Sequence, residues 1–242
     1  MIWKIMSKED EDMNKETELK KVFAEWKERQ DKEENIKMTT VDGIQKETFI
    51  EDGFICYEKY SEAKKKILFI LKESNTKDYV EGSHSQVGFY TNWINAGEGL
   101  NQGKQQLKMG LMAYILSESI KNEIVLSKEE AENVAKKYLE KAAFMNVNKR
   151  GGENQSDSSK LGNYVKYYRR NIEAEIDVIA PDVIVVLGDM PETVYQICTD
   201  RQIPFIRMWH TAFGMQKTVK ETNEIAEDKN ITAYVKEFQS RL

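Results

Sequence analysis

The sequence predicts an α/β fold of three layers, with helices on both faces of a central, mainly parallel four-stranded sheet and an N-terminal helical extension in front. Three observations predict it. Four short apolar runs, at 67–71, 142–147, 182–188 and 203–209, read as strands buried on both faces. Segments with helical spacing lie between them, the alternation that gives a parallel sheet covered on each side. Every run stops at polar or small residues, where open α/β sheets build their sites.

The chain has 242 residues, 40% of them hydrophobic and 32% charged, so a real core sits under a highly charged surface. Three Pro and 13 Gly argue against long disordered linkers. No run approaches the roughly 18 apolar residues of a membrane span. The opening stretch Met1–Met6 is too short for a signal-peptide core. Cys56 and Cys198 stand alone, with neither a disulfide framework nor metal-ligand spacing. These features predict a cytoplasmic protein without a membrane segment. The net charge of −5 does not advertise nucleic-acid binding, although an uneven charge distribution weakens that test.

Residues 1–38 form the extension and 39–242 the α/β domain. Within the extension, Leu19, Val22, Phe23 and Trp26 recur at spacings of three and four and mark one apolar helical face, which suits a helix packed on the domain as well as a partner-binding or regulatory arm. Phe49-Ile50 and Phe54–Tyr57 flank the turn Asp52-Gly53 and predict a small hairpin. The first strand, Ile67–Leu71, runs into Lys72, Glu73, Ser74 and Asn75.

Residues 76–103 then show little periodicity and hold five glycines with His84, Phe89, Tyr90 and Trp93, which suits a lid or a stacking platform as well as a plain surface excursion. A helix over 107–120 follows. Ser127 with Glu130 has the form of a capping box that opens the next helix. The second strand, Ala142–Val147, leads into Asn148-Lys149-Arg150-Gly151-Gly152 and a polar loop through Ser159. Tyr164–Ile179 is a helix ended by Pro181, and the strand 182–188 precedes a helix begun near Pro191. The fourth strand delivers His210. Residues 223–242 close the chain as a helix with Ile231, Val235 and Phe238 inward.

The strand ends therefore gather Glu73 and Asn75, Asn146 and Asn148, Gly188 and Asp189, and His210 at one rim. A carboxylate there can orient or activate water. An amide offers a donor and an acceptor that read the edge of a base or sugar. A histidine can donate to a departing anion. Neither GxGxxG nor GxxxxGK[ST] occurs, and GxSxG is also missing, so the dinucleotide, P-loop and hydrolase-elbow readings lose their main support. Seven Lys or Arg between Lys141 and Arg170 face only Glu153 and Asp157 locally in sequence, apart from the helix that follows. Lys149, Arg150, Gly151 and Gly152, with Ser156, Ser158, Ser159 and Lys160, suit a phosphate backbone as well as an ordinary charged loop.

These residues resemble the uracil-DNA glycosylase superfamily. Ile67–Asn75 resembles its first motif, a hydrophobic strand followed by the loop that handles the catalytic water. Phe144–Arg150 resembles the strand, Asn-Val and basic segment of the cluster-bearing branch. Ile179–Gly188 resembles the stretch before the last strand. Trp209-His210-Thr211 stands where the family has His-Pro-Ser. The likeness covers Lys66–Thr211.

The resemblance implies a uracil-DNA glycosylase-like domain that hydrolyses the N-glycosidic bond of a damaged or modified pyrimidine flipped out of DNA. Glu73, with Asn75 and His210, would be catalytic. Asn146, with Asn148, Ser74, Phe89, Tyr90 and Trp93, would bind or stack on the base. Lys149, Arg150, Gly151, Gly152, Ser156, Ser158 and Lys160 would hold the DNA backbone. Lys72 replaces the family's glycine, Asn75 its proline, and Thr211-Ala212 its Pro-Ser. The four cluster cysteines are absent, so no cofactor or metal is implied. The departures and the long loop after Glu73 point beyond plain uracil to a bulkier base, such as one in phage DNA attacked as a defence. Two other readings fit the same rim: a non-catalytic nucleic-acid-binding protein and a small-molecule nucleoside hydrolase.

Overall fold

The computed structural model describes residues 8–44, 47–75, 90–91, 94–95, 100–122, 124–152, 155–211 and 229–242. Helix α1 (Lys8–Asp31) leads through a 3-10 turn at Ile36–Met38 to a two-residue strand β1 (Gly53–Phe54) and a short helix α2 (Tyr57–Ser61). Strand β2 (Ile67–Asn75) follows, then helices α3 (Leu100–Glu118) and α4 (Lys128–Leu139). Next come β3 (Ala142–Gly152), α5 (Ser158–Tyr167), α6 (Arg169–Ile179) and β4 (Val183–Leu187). Helix α7 (Glu192–Asp200), β5 (Phe205–Met208) and α8 (Lys229–Ser240) complete the order.

The sheet has five strands in the order β1-β3-β2-β4-β5. The four longer strands are parallel, as their sequence requires, and β1 adds an antiparallel edge on β3. The expected four-stranded sheet thus gains a fifth strand. The expected hairpin does not form. Gly53 and Phe54 pair with Phe144 and Ala143, and the Ile50 amide donates to the Lys149 carbonyl at 2.8 Å. The segment buries its apolar residues by extending β3 rather than by pairing with itself.

Alternation along β2 explains its unbroken apolar run. Ile67, Phe69 and Leu71 enter one core with α3, α4 and α8, while Leu68 and Ile70 enter a second core with α1, α5, α6 and α7. Each such side chain is worth about 1.5–3 kcal/mol when fully buried. Helices α3 and α4 cross closely at Gly110, where a Cβ would lie 2.3 Å from the Ala135 carbonyl oxygen. Ser127 accepts from the Glu130 amide, and Glu130 accepts from the Ser127 amide, so the expected capping box forms.

Leu19, Phe23 and Trp26 of α1 are buried, and Trp26 stacks on Tyr168 at 6.0 Å. The helix read over 164–179 is two helices. Asp157 caps α5 through the Ser159 and Lys160 amides, and the chain bends at Tyr168 before α6 begins. Ala180 adopts φ +50° and ends α6 just ahead of Pro181. Ile231, Val235 and Phe238 of α8 point inward as their spacing predicts. No described helix is long and apolar enough to cross a membrane.

From β2 the chain moves to β3 on one side, then returns across β2 to β4 and β5 on the other. The order reverses between β2 and β4. In open α/β sheets the crevice at such a reversal, beyond the carboxyl ends of the strands, is where ligands bind.

Candidate active site

Two side-chain groups meet the carboxyl ends of the strands, and β2 contributes to both. The first is built by Glu73. Its Oε2 accepts from Asn148 Nδ2 at 2.9 Å, across the pair that joins β2 to β3. Asn148 Nδ2 also donates to the Gly151 carbonyl, while its Oδ1 accepts from the Arg150 amide at 3.0 Å. The other carboxylate oxygen, Oε1, is buried and has no hydrogen-bond partner among the described residues.

The reason for this geometry is a bulge. Glu73 pairs with Asn148, but Asn75 pairs with Gly152, so β3 carries two extra residues between those pairs. Gly151 takes φ +80°, in the left-handed region that glycine enters without cost. Gly152 then lies against the Glu73 carboxylate, where any side chain would have to displace the end of Glu73. Next to this group, Asn146 Nδ2 donates to Ser74 Oγ at 3.3 Å, and the Asn146 amide donates to Asp52 at 2.6 Å.

The second group is built around Gly188. His210, just past β5, and Lys72, from β2, both close on this glycine, whose φ is +87°. Lys108 of α3 is buried and donates to the Thr211 carbonyl at 2.8 Å. Burial, reinforced by the Lys72 and Lys108 charges, holds the His210 imidazole below its ordinary 6.5, so it is neutral at pH 7.

Several expected site residues take other places. Lys149 and Arg150 do not reach solvent: both are 0% exposed. Strand β3 continues through them instead of turning into a loop, with all 11 of its residues buried. Lys149 is paired with Asp52 at 2.5 Å and Glu175 at 2.8 Å. Burial alone would lower its pKa, but the two carboxyls outweigh that and hold the ammonium above its ordinary value. Glu175 goes the other way, raised well above the usual carboxyl range by burial and then by Asp52. Arg150 pairs with Glu33 at 2.8 Å and donates to Thr39, Thr40 and Tyr168. Two buried charges need such partners, and these come from the segment between α1 and β1, from the bend at Tyr168 and from α6.

Gly151 and Gly152 shape the bulge and are buried, so they too are not a surface phosphate loop. Ser158 is exposed, Ser156 and Lys160 are half-buried, and Lys160 lies 3.6 Å from Asp42. Tyr90 is buried against Phe144 at 4.2 Å between ring centroids, with its hydroxyl on Met109 Sδ, so it is core rather than an exposed stacking ring. Phe89 and Trp93 lie outside the described residues, and Asn75 is described only as a strand position. Among the described residues no group of three His, Cys, Asp or Glu is placed to hold a metal.

Sequence reasoning misses Lys108 and reads Asp52 only as a turn residue, and it assigns Gly152 to the DNA backbone, whereas the structure sets Gly152 against the Glu73 carboxylate. No family model, curated protein or solved structure matches this chain.

Proposed function

We propose that this chain hydrolyses an N-glycosidic bond, on a modified or damaged pyrimidine flipped out of DNA in the cytoplasm. The observation that carries the reading is the Glu73 carboxylate: one oxygen fixed by Asn148, the other buried and without a hydrogen-bond partner among the described residues. A carboxylate held by one oxygen keeps the other to orient water and take its proton. Water then adds to the sugar C1′ as the C1′–N bond breaks through an oxocarbenium-like state, and the bond's electron pair leaves with the base. A neutral His210 donates a hydrogen bond to that departing anion. Asn146, beside Ser74, selects the base through its amide. The resemblance of Ile67–Asn75, Phe144–Arg150 and Trp209–Thr211 to the uracil-DNA glycosylase superfamily supports the same roles. The replacement of the family's glycine by Lys72 favours a base other than uracil, such as a modified cytosine of phage DNA.

A second reading is hydrolysis of a free nucleoside or nucleotide by the same residues. The burial of Lys149 and Arg150 favours it, since it removes the basic loop that a duplex would have used. Mass spectrometry of bases released from uracil-containing, mismatched and modified genomic DNAs, beside free nucleosides, separates the two. Release from DNA that Glu73→Gln and His210→Ala abolish supports the first; turnover of nucleosides alone supports the second; no release from either contradicts both.

A further inference from the structure

Consecutive residues of a regular strand face opposite sides, yet Lys149 and Arg150 enter the same core. The Lys149 ammonium lies 5.1 Å from the Trp26 ring centre, and the Arg150 guanidinium 5.8 Å from those of Tyr164 and Tyr168. The bulge between the Glu73–Asn148 and Asn75–Gly152 pairs undoes the alternation and turns Arg150 toward the N-terminal segment. There its guanidinium pairs with Glu33 at 2.8 Å and donates to the Gln30 carbonyl at 3.1 Å, Thr39 Oγ1 at 3.0 Å and Thr40 Oγ1 at 2.9 Å. Glu33 in turn accepts from the Thr39 and Tyr168 hydroxyls, each at 2.6 Å. Burial opposes its ionisation, but the bonds from Thr39, Tyr168 and Arg150 outweigh that and hold the carboxyl below its ordinary range.

The backbone of the same arginine touches the site. The Arg150 amide donates to Asn148 Oδ1 at 3.0 Å. The oxygen and the nitrogen of an asparagine amide are nearly alike in size, so the bonds around them decide which way each points. With Oδ1 taken by the Arg150 N–H, Nδ2 is left to donate to Glu73 Oε2 at 2.9 Å and to the Gly151 carbonyl at 3.1 Å. The reversed amide would set an oxygen against a carboxylate oxygen, two acceptors that repel. The hold on Glu73 therefore depends on where the Arg150 backbone sits. A planar guanidinium fork bound to several fixed acceptors sets that place more rigidly than a point charge would.

We propose that Glu33, acting through Arg150 and Asn148, positions the Glu73 carboxylate. Glu33 and Arg150 are positioning residues, and the segment from Gln30 to Thr40, where the extension meets the domain, belongs to the machinery of the site. The catalytic meaning of this link rests on the glycosidic reading, whereas the link itself is a matter of geometry and is measured without turnover.

The test uses the full chain and two readouts. The side-chain amide signals of Asn148 are followed by NMR of the isotope-labelled protein, assigned through their loss in Asn148→Ala. Base release is measured in single turnover on each variant that melting shows to be folded. Glu33→Gln removes the charge that anchors Arg150, and Arg150→Lys keeps a charge but not the fork. Both should move the Asn148 signals and slow base release roughly ten- to a hundredfold, the cost of letting a catalytic group drift by up to an ångström, with substrate binding unchanged. Thr40→Val removes one acceptor of Arg150 and should give the same changes in smaller measure, even if the stronger variants fail to fold. Leu139→Ala opens a cavity in the other core and destabilises the fold, and should leave both readouts as in wild type. In an Asn148→Ala background, Glu33→Gln should slow release no further, because the link is already cut. Asn148 signals that stay in place in all three variants overturn the proposal. So do wild-type release by a variant whose Asn148 signals have moved, equal changes in Leu139→Ala, and a loss that simply adds to that of Asn148→Ala. Moved Asn148 signals in a protein that releases no base uphold the link to Glu73 while the glycosidic reading fails.

Discussion

Gly152 lies so close to Glu73 that a Cβ on it would stand 2.5 Å from the carboxylate carbon and 2.6 Å from Oε1. The backbone of β3 therefore acts as a wall for the carboxylate that we assign to water activation. Asn148 grips the other oxygen, and the bulge at Gly151 brings the wall into place.

Gly152→Ala tests that wall. The backbone there needs no left-handed φ, so the added methyl presses only on the end of the Glu73 side chain, which can move. The protein should melt within a few degrees of wild type. Base release should fall about a hundredfold, the usual cost of misplacing a catalytic group by an ångström. Thermal melting and single-turnover base release measure the two effects separately.

Asn148 is the clamp on Glu73. Asn148→Ala removes a hydrogen bond to a charged group, worth about 1.5–3 kcal/mol. Asn148→Asp places a second carboxylate 2.9 Å from where the first now accepts, and should be the more damaging of the two. Single-turnover rates for both variants check the order.

The buried group Asp52–Lys149–Glu175 gives a stability prediction with a definite sign. Lys149→Met leaves two carboxyls buried without their cation and should cost about 3–5 kcal/mol in urea unfolding. Glu175 has its folded pKa raised above its ordinary 4.5. Its contribution is thus fully present below about pH 4.5 and is lost as the pH rises toward the folded value, because the unfolded chain gives up the proton first. Glu175→Gln cannot ionise, so its stability should fall less than that of wild type above pH 4.5. Denaturant midpoints across that range check it.

Much of the fold was legible because its signals are local. Ile67–Leu71 and Val183–Leu187 are unbroken apolar runs, Ser127 and Glu130 sit three apart, and Ile231, Val235 and Phe238 share a helical face. The course of β3 was not legible. Asn148-Lys149-Arg150-Gly151-Gly152 is poor in strand formers and rich in charge, so it reads as a loop. It becomes buried strand only because Asp52, Glu175 and Glu33 arrive from distant segments to neutralise it. Glu73, Asn148 and His210 could be assigned to one rim because they stand at strand ends, whereas the place of Gly152 against Glu73 and the burial of Lys108 needed the three-dimensional structure. The burial of Tyr90 under Phe144 was equally hidden, since its neighbourhood has no periodic pattern.

Trp26 ties α1 to the domain and offers a further check. It is fully buried and flanked by Phe49, Tyr164 and Tyr168. Trp26→Ala should destabilise the whole domain by about 3–5 kcal/mol in a single cooperative transition. Loss of α1 signals alone, with the sheet intact, would contradict this.

The most direct measurement of the central claim is the appearance of free base and abasic sites when the purified chain is incubated with modified DNA. The account predicts release by wild type, a loss of roughly a hundredfold or more in Glu73→Gln, and unchanged folding of that variant. Release at the wild-type rate by Glu73→Gln would contradict it.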